Sequence, residues 1–173
     1  TGVWPSAHGV PGWHVYLSEI DAVATIIRYV RRSDDKDLEE LGMAVKDAFP
    51  TPSAVGDFNK DTISYLPKQI VNTTFSNYTS GNTPQRGYEK LKEATAAIGS
   101  RISGSAKPTM TQLYVPDVDS ATHQSGTDSP QVKAVAERLD GVLERLSRSL
   151  PDGSRLVLTA DHGLLDFDKS QVF

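Results

Sequence analysis

"SPQVKAVAERLDGVLERLSRSL", residues 129–150, is the stretch whose reading decides the fold. Val132, Val135, Leu139, Val142, Leu143 and Leu146 recur at the helical period, which gathers them into one apolar stripe. Ser129 is a natural N-cap, and Pro130 suits the first helical position, where the amide has no partner inside the helix anyway. The spacing predicts a helix over 130–149. On either side lie two β-prone runs, "TQLYV" (111–115) and "RLVLTA" (155–160), which read as strands. Strand, long helix, strand is a βαβ unit, and its right-handed crossover makes the two strands parallel neighbours. The predicted fold class is α/β, with a largely parallel sheet flanked by helices.

Outward from this unit the pattern is less regular. "AVATIIRYV" (22–30) is β-branched and reads as one strand, reached from a Gly-, Pro- and aromatic-rich opening that reads as loop. Leu38, Leu41, Val45 and Phe49 recur at helical spacing, and "PTP" (50–52) ends that helix. "SNYTSGNTP" (76–84) reads as a surface loop. A short helix follows, with Tyr88, Leu91, Thr95 and Ile98 on one face and Gly99 as its end. The 173 residues have room for one good core, so a single domain over 1–173 is expected.

Composition narrows the function. A net charge of −4 argues against non-specific binding of nucleic-acid polymers, which calls for a basic face. No apolar run approaches the roughly 20 residues of a membrane-spanning helix. The chain has no cysteine, so any metal must be held by imidazole and carboxylate, and the compartment stays open.

In α/β sheets, ligands bind beyond the carboxyl ends of the strands. The loops 116–129 and 161–168 both follow predicted strands and should therefore be neighbours at that edge. One contains Asp119 and His123 at i, i+4, which share a face if the segment makes a helical turn. The other begins Asp161-His162-Gly163, where glycine lets the backbone turn sharply. Two carboxylates and two imidazoles at one rim suit Zn²⁺ or Mn²⁺. An Asp-His pair after a strand can equally cap a loop, and the residues alone leave both readings open.

With these motifs together, the chain resembles the alkaline phosphatase superfamily, and within it the type I phosphodiesterase/nucleotide pyrophosphatase branch. "PDVDSATHQSG" (116–126) and "LVLTADHGLLD" (156–166) look like its paired metal-binding motifs, and "TGVWPSAHGVPG" (1–12) is similar to its Thr-Gly-x-x-Pro-x-x-His-Gly segment. The three come in the family's order. The resemblance implies an alkaline-phosphatase-like core, two divalent ions (Zn²⁺, with Mn²⁺ as the alternative) and hydrolysis of a small phosphate ester. It assigns Asp119 and His123 to one ion and Asp161 and His162 to the other. Asp117, in the Pro-Asp dipeptide, is the weaker substitute for Asp119 because its spacing to His123 is wrong. His8 matches a family histidine near the site and receives no catalytic role; nothing in the context of His14 assigns it one.

Departures from the family pattern shape the expectation further. The family's Thr or Ser nucleophile, and an Asp ligand before it, precede the Thr-Gly segment, which here is residues 1–2. A further His ligand lies beyond the Asp-His-Gly motif. Nucleotide pyrophosphatases place a phosphate-contacting Asn where this chain has Trp13, which cannot do that job the same way, so the departure bears on nucleotide specificity and not on the metal chemistry. The opening at Thr1-Gly2 and the close at "KSQVF" (169–173) read as ends cut from a longer protein. The expectation is a partial catalytic domain, with its nucleophile outside the chain, that alone binds metal poorly and turns over nothing. A phosphomutase-like enzyme of the same superfamily and a non-catalytic α/β interaction domain are the alternatives.

Overall fold

The computed structural model describes residues 4–58 and 61–166; Thr1-Gly2 and the closing "KSQVF" lie outside them. The chain divides into two compact units. One takes the chain up to Gly87 together with Pro108–Leu113, and the other takes Tyr88–Lys107 together with the chain from Tyr114 onward.

In the first unit, helix α1 (Pro5–His8) precedes three antiparallel strands in the order β1-β2-β3, namely β1 (His14–Leu17), β2 (Ala22–Thr25) and β3 (Val30–Arg31). The stretch 22–30, read from sequence as a single strand, is instead two strands with a turn at Ile26–Tyr29. Burial explains the difference. A continuous strand would send Ile26 and Tyr29 to opposite faces, whereas the turn brings both into one core with Ala24 and Leu38, each 1% exposed or less. Tyr29 takes up a left-handed backbone (φ 57°), which costs about 1–2 kcal/mol for a residue with a side chain. Its ring packs on Phe49, with centroids 5.7 Å apart, and its hydroxyl donates to the Met43 carbonyl at 2.9 Å.

The helix expected across 38–49 is also corrected. Only α2 (Val45–Ala48) is helical, because Gly42 (φ +89°) turns the chain and the Leu38 carbonyl accepts from the amides of both Leu41 and Met43. The same apolar residues reach the core by turns. After α3 (Val55–Phe58), the polar stretch read as a loop over 76–84 begins as helix α4 (Thr74–Thr79), capped by Thr73 Oγ, which accepts from the Ser76 amide at 3.2 Å. The second sheet has the order β5-β4-β6, from β4 (Thr62–Pro67), β5 (Gln85–Tyr88) and β6 (Met110–Leu113). Strands β4 and β6 are parallel, with Thr62 opposite Met110 and Tyr65 opposite Leu113. The class is α/β, as the sequence implied, with a parallel pair in this sheet; the antiparallel sheet was not anticipated.

The second unit is helical. Helices α5 (Leu91–Ser103), α6 (Asp117–Ser125) and α7 (Pro130–Ser149) pack as α5 on α7 and α6 on α7. The long helix forms where its sequence predicts, with Ser129 Oγ accepting from the Val132 amide at 3.2 Å. Its stripe buries Val142 and Leu146, and α5 buries Ala94 and Ile98. Gly99, expected to end α5, lies inside it. A Cβ there would stand 3.3 Å from Ser149 Oγ, so the missing side chain lets the end of α7 come close, and Gly104 follows the helix instead.

One expectation fails outright. Residues 155–160 form no strand, and Val157 and Leu158 are 74% and 75% exposed. The parallel neighbour of β6 is β4, not this run. Its apolar, β-branched residues supply strand propensity, but a strand also needs a ladder of hydrogen bonds from a neighbour. Among the described residues no strand pairs with it.

Candidate metal centre

Helix α6 starts four residues beyond β6, after Tyr114-Val115-Pro116, and so supplies the helical turn that the Asp119–His123 spacing requires. His123 Nε2 stands 3.5 Å from Asp119 Oδ1. That oxygen is inaccessible to solvent, and among the described residues it is the one buried side-chain polar atom with no hydrogen-bond partner. The His123 contact does not satisfy it, being too long for a sound hydrogen bond. Asp117 differs. Its carboxylate stands 3.4 Å from the Arg138 guanidinium of α7 and is not among the buried unpartnered atoms, as Asp119 Oδ1 is. This favours Asp119 over Asp117 as a ligand.

Asp161 and His162 lie on the exposed stretch that follows α7. Asp161 Oδ1 accepts from the His162 amide at 3.0 Å, and His162 Nε2 is 3.8 Å from Asp161 Oδ2. His162 Nδ1 lies 2.9 Å from the Gly163 carbonyl. A carbonyl only accepts, so Nδ1 carries the proton and the neutral ring keeps its lone pair on Nε2, beside the Asp161 carboxylate. The same Gly163 bond holds the imidazole above its ordinary pKa, with the charges of Asp161 and Asp119 adding and slight desolvation opposing.

The two pairs share a neighbourhood. Tyr114, between β6 and α6, has its phenol pushed up first by burial and then by the charges of Asp161 and Asp119. Its carbonyl accepts from the Tyr88 hydroxyl at 2.7 Å. The segments that follow the two pairs are joined directly, because Asp166 accepts from the Thr127 amide at 2.9 Å and from the Thr127 hydroxyl at 2.8 Å. Sequence reasoning missed both Tyr114 and Asp166. Thr127 and Asp166 are 39 residues apart and belong to no spacing motif, so nothing local marks the connection.

The donors can be tested against a metal. Two ligands about 2.1 Å from a tetrahedral zinc stand about 3.4 Å apart. The separations of 3.5 Å in one pair and 3.8 Å in the other are of that size. An unsatisfied carboxylate oxygen and a histidine with its other nitrogen hydrogen-bonded are what such an ion needs. The donor types fit. The donor count is that of two half-sites, since among the described residues no three His, Asp or Glu groups converge to hold one ion.

The remaining histidines do other work. His8 Nδ1 accepts from the Val10 amide at 3.1 Å in a turn, and His14 Nδ1 lies 3.3 Å from Thr25 Oγ in the β1–β2 pairing. Trp13, where the resemblance would want a phosphate-contacting Asn, is exposed. Compared with known protein families, residues 1–173 match the description "Type I phosphodiesterase / nucleotide pyrophosphatase". No curated protein and no solved structure gives a match.

Proposed function

The chain belongs to the type I phosphodiesterase/nucleotide pyrophosphatase family of the alkaline phosphatase superfamily, and from that premise we propose that it serves metal-dependent hydrolysis of small phosphate esters. The substrate is a phosphodiester or a nucleotide pyrophosphate. Asp119 and His123 hold one divalent ion, and Asp161 and His162 hold the other. Such ions, when bound, neutralise the phosphoryl oxygens and make an oxygen nucleophile available at neutral pH. The observation that carries the reading is the unsatisfied Asp119 Oδ1 beside His123 Nε2.

The chain's own residues do the rest. Asp119 and Asp161 bring negative charge to a site that must hold cations, while the histidines add neutral nitrogen donors. Gly163 keeps the His162 proton on Nδ1, so that Nε2 is the coordinating atom. Water-activating sites generally take three protein ligands and leave one position open, so each pair needs a further ligand. The family's pattern draws its Thr or Ser nucleophile and its further Asp and His ligands from segments other than these two motifs.

One observation favours a different reading. Asp161 already accepts from the backbone of His162, as it would if it only capped the loop of a non-catalytic interaction domain. A single experiment separates the two. The protein is assayed with Zn²⁺ or Mn²⁺ on an aryl phosphodiester, an aryl phosphomonoester and a phosphosugar. The hydrolase reading expects turnover of an aryl ester, abolished by chelator and largely lost in His162→Ala. Phosphosugar isomerisation would instead identify a mutase. Turnover indifferent to both chelator and His162→Ala defeats the two-metal reading.

A further inference from the structure

The Asp166 carboxylate is engaged entirely with one residue. Thr127 N–H donates to Oδ1 at 2.9 Å and reaches Oδ2 at 3.2 Å, and the Thr127 hydroxyl donates to Oδ2 at 2.8 Å. These bonds hold the carboxyl below the ordinary carboxylate range, so it is ionised at neutral pH and accepts strongly. Thr127 follows Gly126, whose amide donates to the Thr122 carbonyl at 2.9 Å and closes the end of α6. Gly126 has φ +82°, a left-handed backbone that swings the chain toward Asp166. A continuous path therefore runs from Asp119 and His123 on α6, through Gly126 and Thr127, to Asp166 and back along Leu165 and Leu164 to Asp161 and His162. The Asp161–His162 segment is otherwise exposed and belongs to no helix or strand, so little else fixes where it lies.

We propose that Asp166 is a positioning residue that, through Thr127, sets the placement of the Asp161–His162 pair relative to the Asp119–His123 pair. This rests on the two-metal reading above. Both Asp166 oxygens accept from Thr127, so its part here is to support the loop. Its part is to remove the freedom of a short exposed segment before the metal arrives. The ions then meet two pairs already in register and need not order the loop themselves. Partners that orient ligands in this way typically change metal affinity by about 10- to 100-fold when removed.

The test uses the full chain stripped of metal, with Zn²⁺ alone as the probe. Two quantities are read, namely exchange of the Thr127 amide in the metal-free protein and Zn²⁺ affinity by calorimetric titration. The variants are Asp166→Ala, Asp166→Asn and Thr127→Val, with Asp119→Ala and His162→Ala as ligand controls. Asp166→Ala should speed Thr127 exchange and weaken Zn²⁺ binding about 10- to 100-fold. Asp166→Asn, which keeps one acceptor oxygen, should recover part of both. Thr127→Val should weaken binding in the same direction, and the double variant should be no worse than Asp166→Ala, because both act on one connection. If Asp166→Ala fails to fold, Asp166→Asn and Thr127→Val carry the same comparison. Unchanged Thr127 exchange overturns the proposal whatever the metal does. Faster exchange with unchanged Zn²⁺ affinity, while the ligand controls lose affinity, overturns it and leaves the two-metal reading standing. If the ligand controls also bind Zn²⁺ as the parent does, the two-metal reading falls and takes this inference with it.

Discussion

Replacing Asp119 with alanine should stabilise the metal-free protein and destabilise it, relative to the parent, once Zn²⁺ is present. Asp119 Oδ1 is buried without a hydrogen-bond partner. An unsatisfied buried acceptor costs about 1–3 kcal/mol. The side chain as a whole is 34% exposed, so the lower end of that range applies, about 1 kcal/mol. Alanine also gains roughly 0.5 kcal/mol of helix propensity inside α6. Against this, Asp119 sits in the first turn of α6, where its charge meets the positive end of the helix dipole, worth about 0.3–1 kcal/mol. The His123 contact is long and mostly exposed, so it adds little. Propensity and dipole roughly cancel, leaving a net gain of about 1 kcal/mol from removing the orphaned oxygen. In a chain of this size that raises Tm by about 2–4 °C. The assay is thermal and urea unfolding at mildly alkaline pH, in chelator and in Zn²⁺. At Zn²⁺ about 100 times Kd the parent gains about 2.7 kcal/mol, and the variant should lose most of that gain. The order of stabilities therefore reverses between the two conditions. A variant less stable than the parent in chelator would mark Asp119 as a structural acid of the helix end and refute the reasoning.

Three further predictions concern the scaffold and its pH response. Ser129→Ala removes the cap on the Val132 amide and should cost about 1 kcal/mol, seen as an earlier urea midpoint with the slope unchanged. Leu146→Ala empties a site that is 5% exposed on the stripe of α7 and should cost about 2–5 kcal/mol, whereas Leu165→Ala, at an 89% exposed position, should leave the melting curve where it is. Thr127 lowers the Asp166 pKa in the folded state, so the stability this connection contributes is present above the ordinary carboxylate pKa and is lost as pH falls through the depressed value. The Thr127 amide should accordingly stay protected at neutral pH and lose protection only below about pH 4; loss of protection near neutrality would contradict the assignment.

Much of the candidate site was legible because it is local. The i, i+4 spacing of Asp119 and His123 needs only one helical turn, and α6 provides it. Asp161-His162-Gly163 is contiguous, so its hydrogen bonds are set within three residues. What spacing could not reveal is that Asp117 stands beside Arg138 of α7 while Asp119 Oδ1 has no donor, nor that Asp166 reaches across to Thr127. Each of those depends on a partner distant in the chain, and no periodic signal encodes it.

The fold divides along the same line. Helix α7 was determined by its own residues, since cap, first-turn proline and apolar stripe all lie within its twenty-two-residue stretch and its hydrogen bonds close between neighbours along the chain. The family's motifs, too, are short and sequential, and they stand in the sequence without any knowledge of packing. Tertiary structure alone decided that 22–30 would fold back on itself to bury Ile26 and Tyr29 together, that the apolar spacing of 38–49 would be served by turns around Gly42, and that β6 would pair with β4 rather than with 155–160. A helix satisfies its backbone internally, but a strand satisfies its backbone only through another strand, so the apolar run at 155–160 states a propensity that a neighbour must complete.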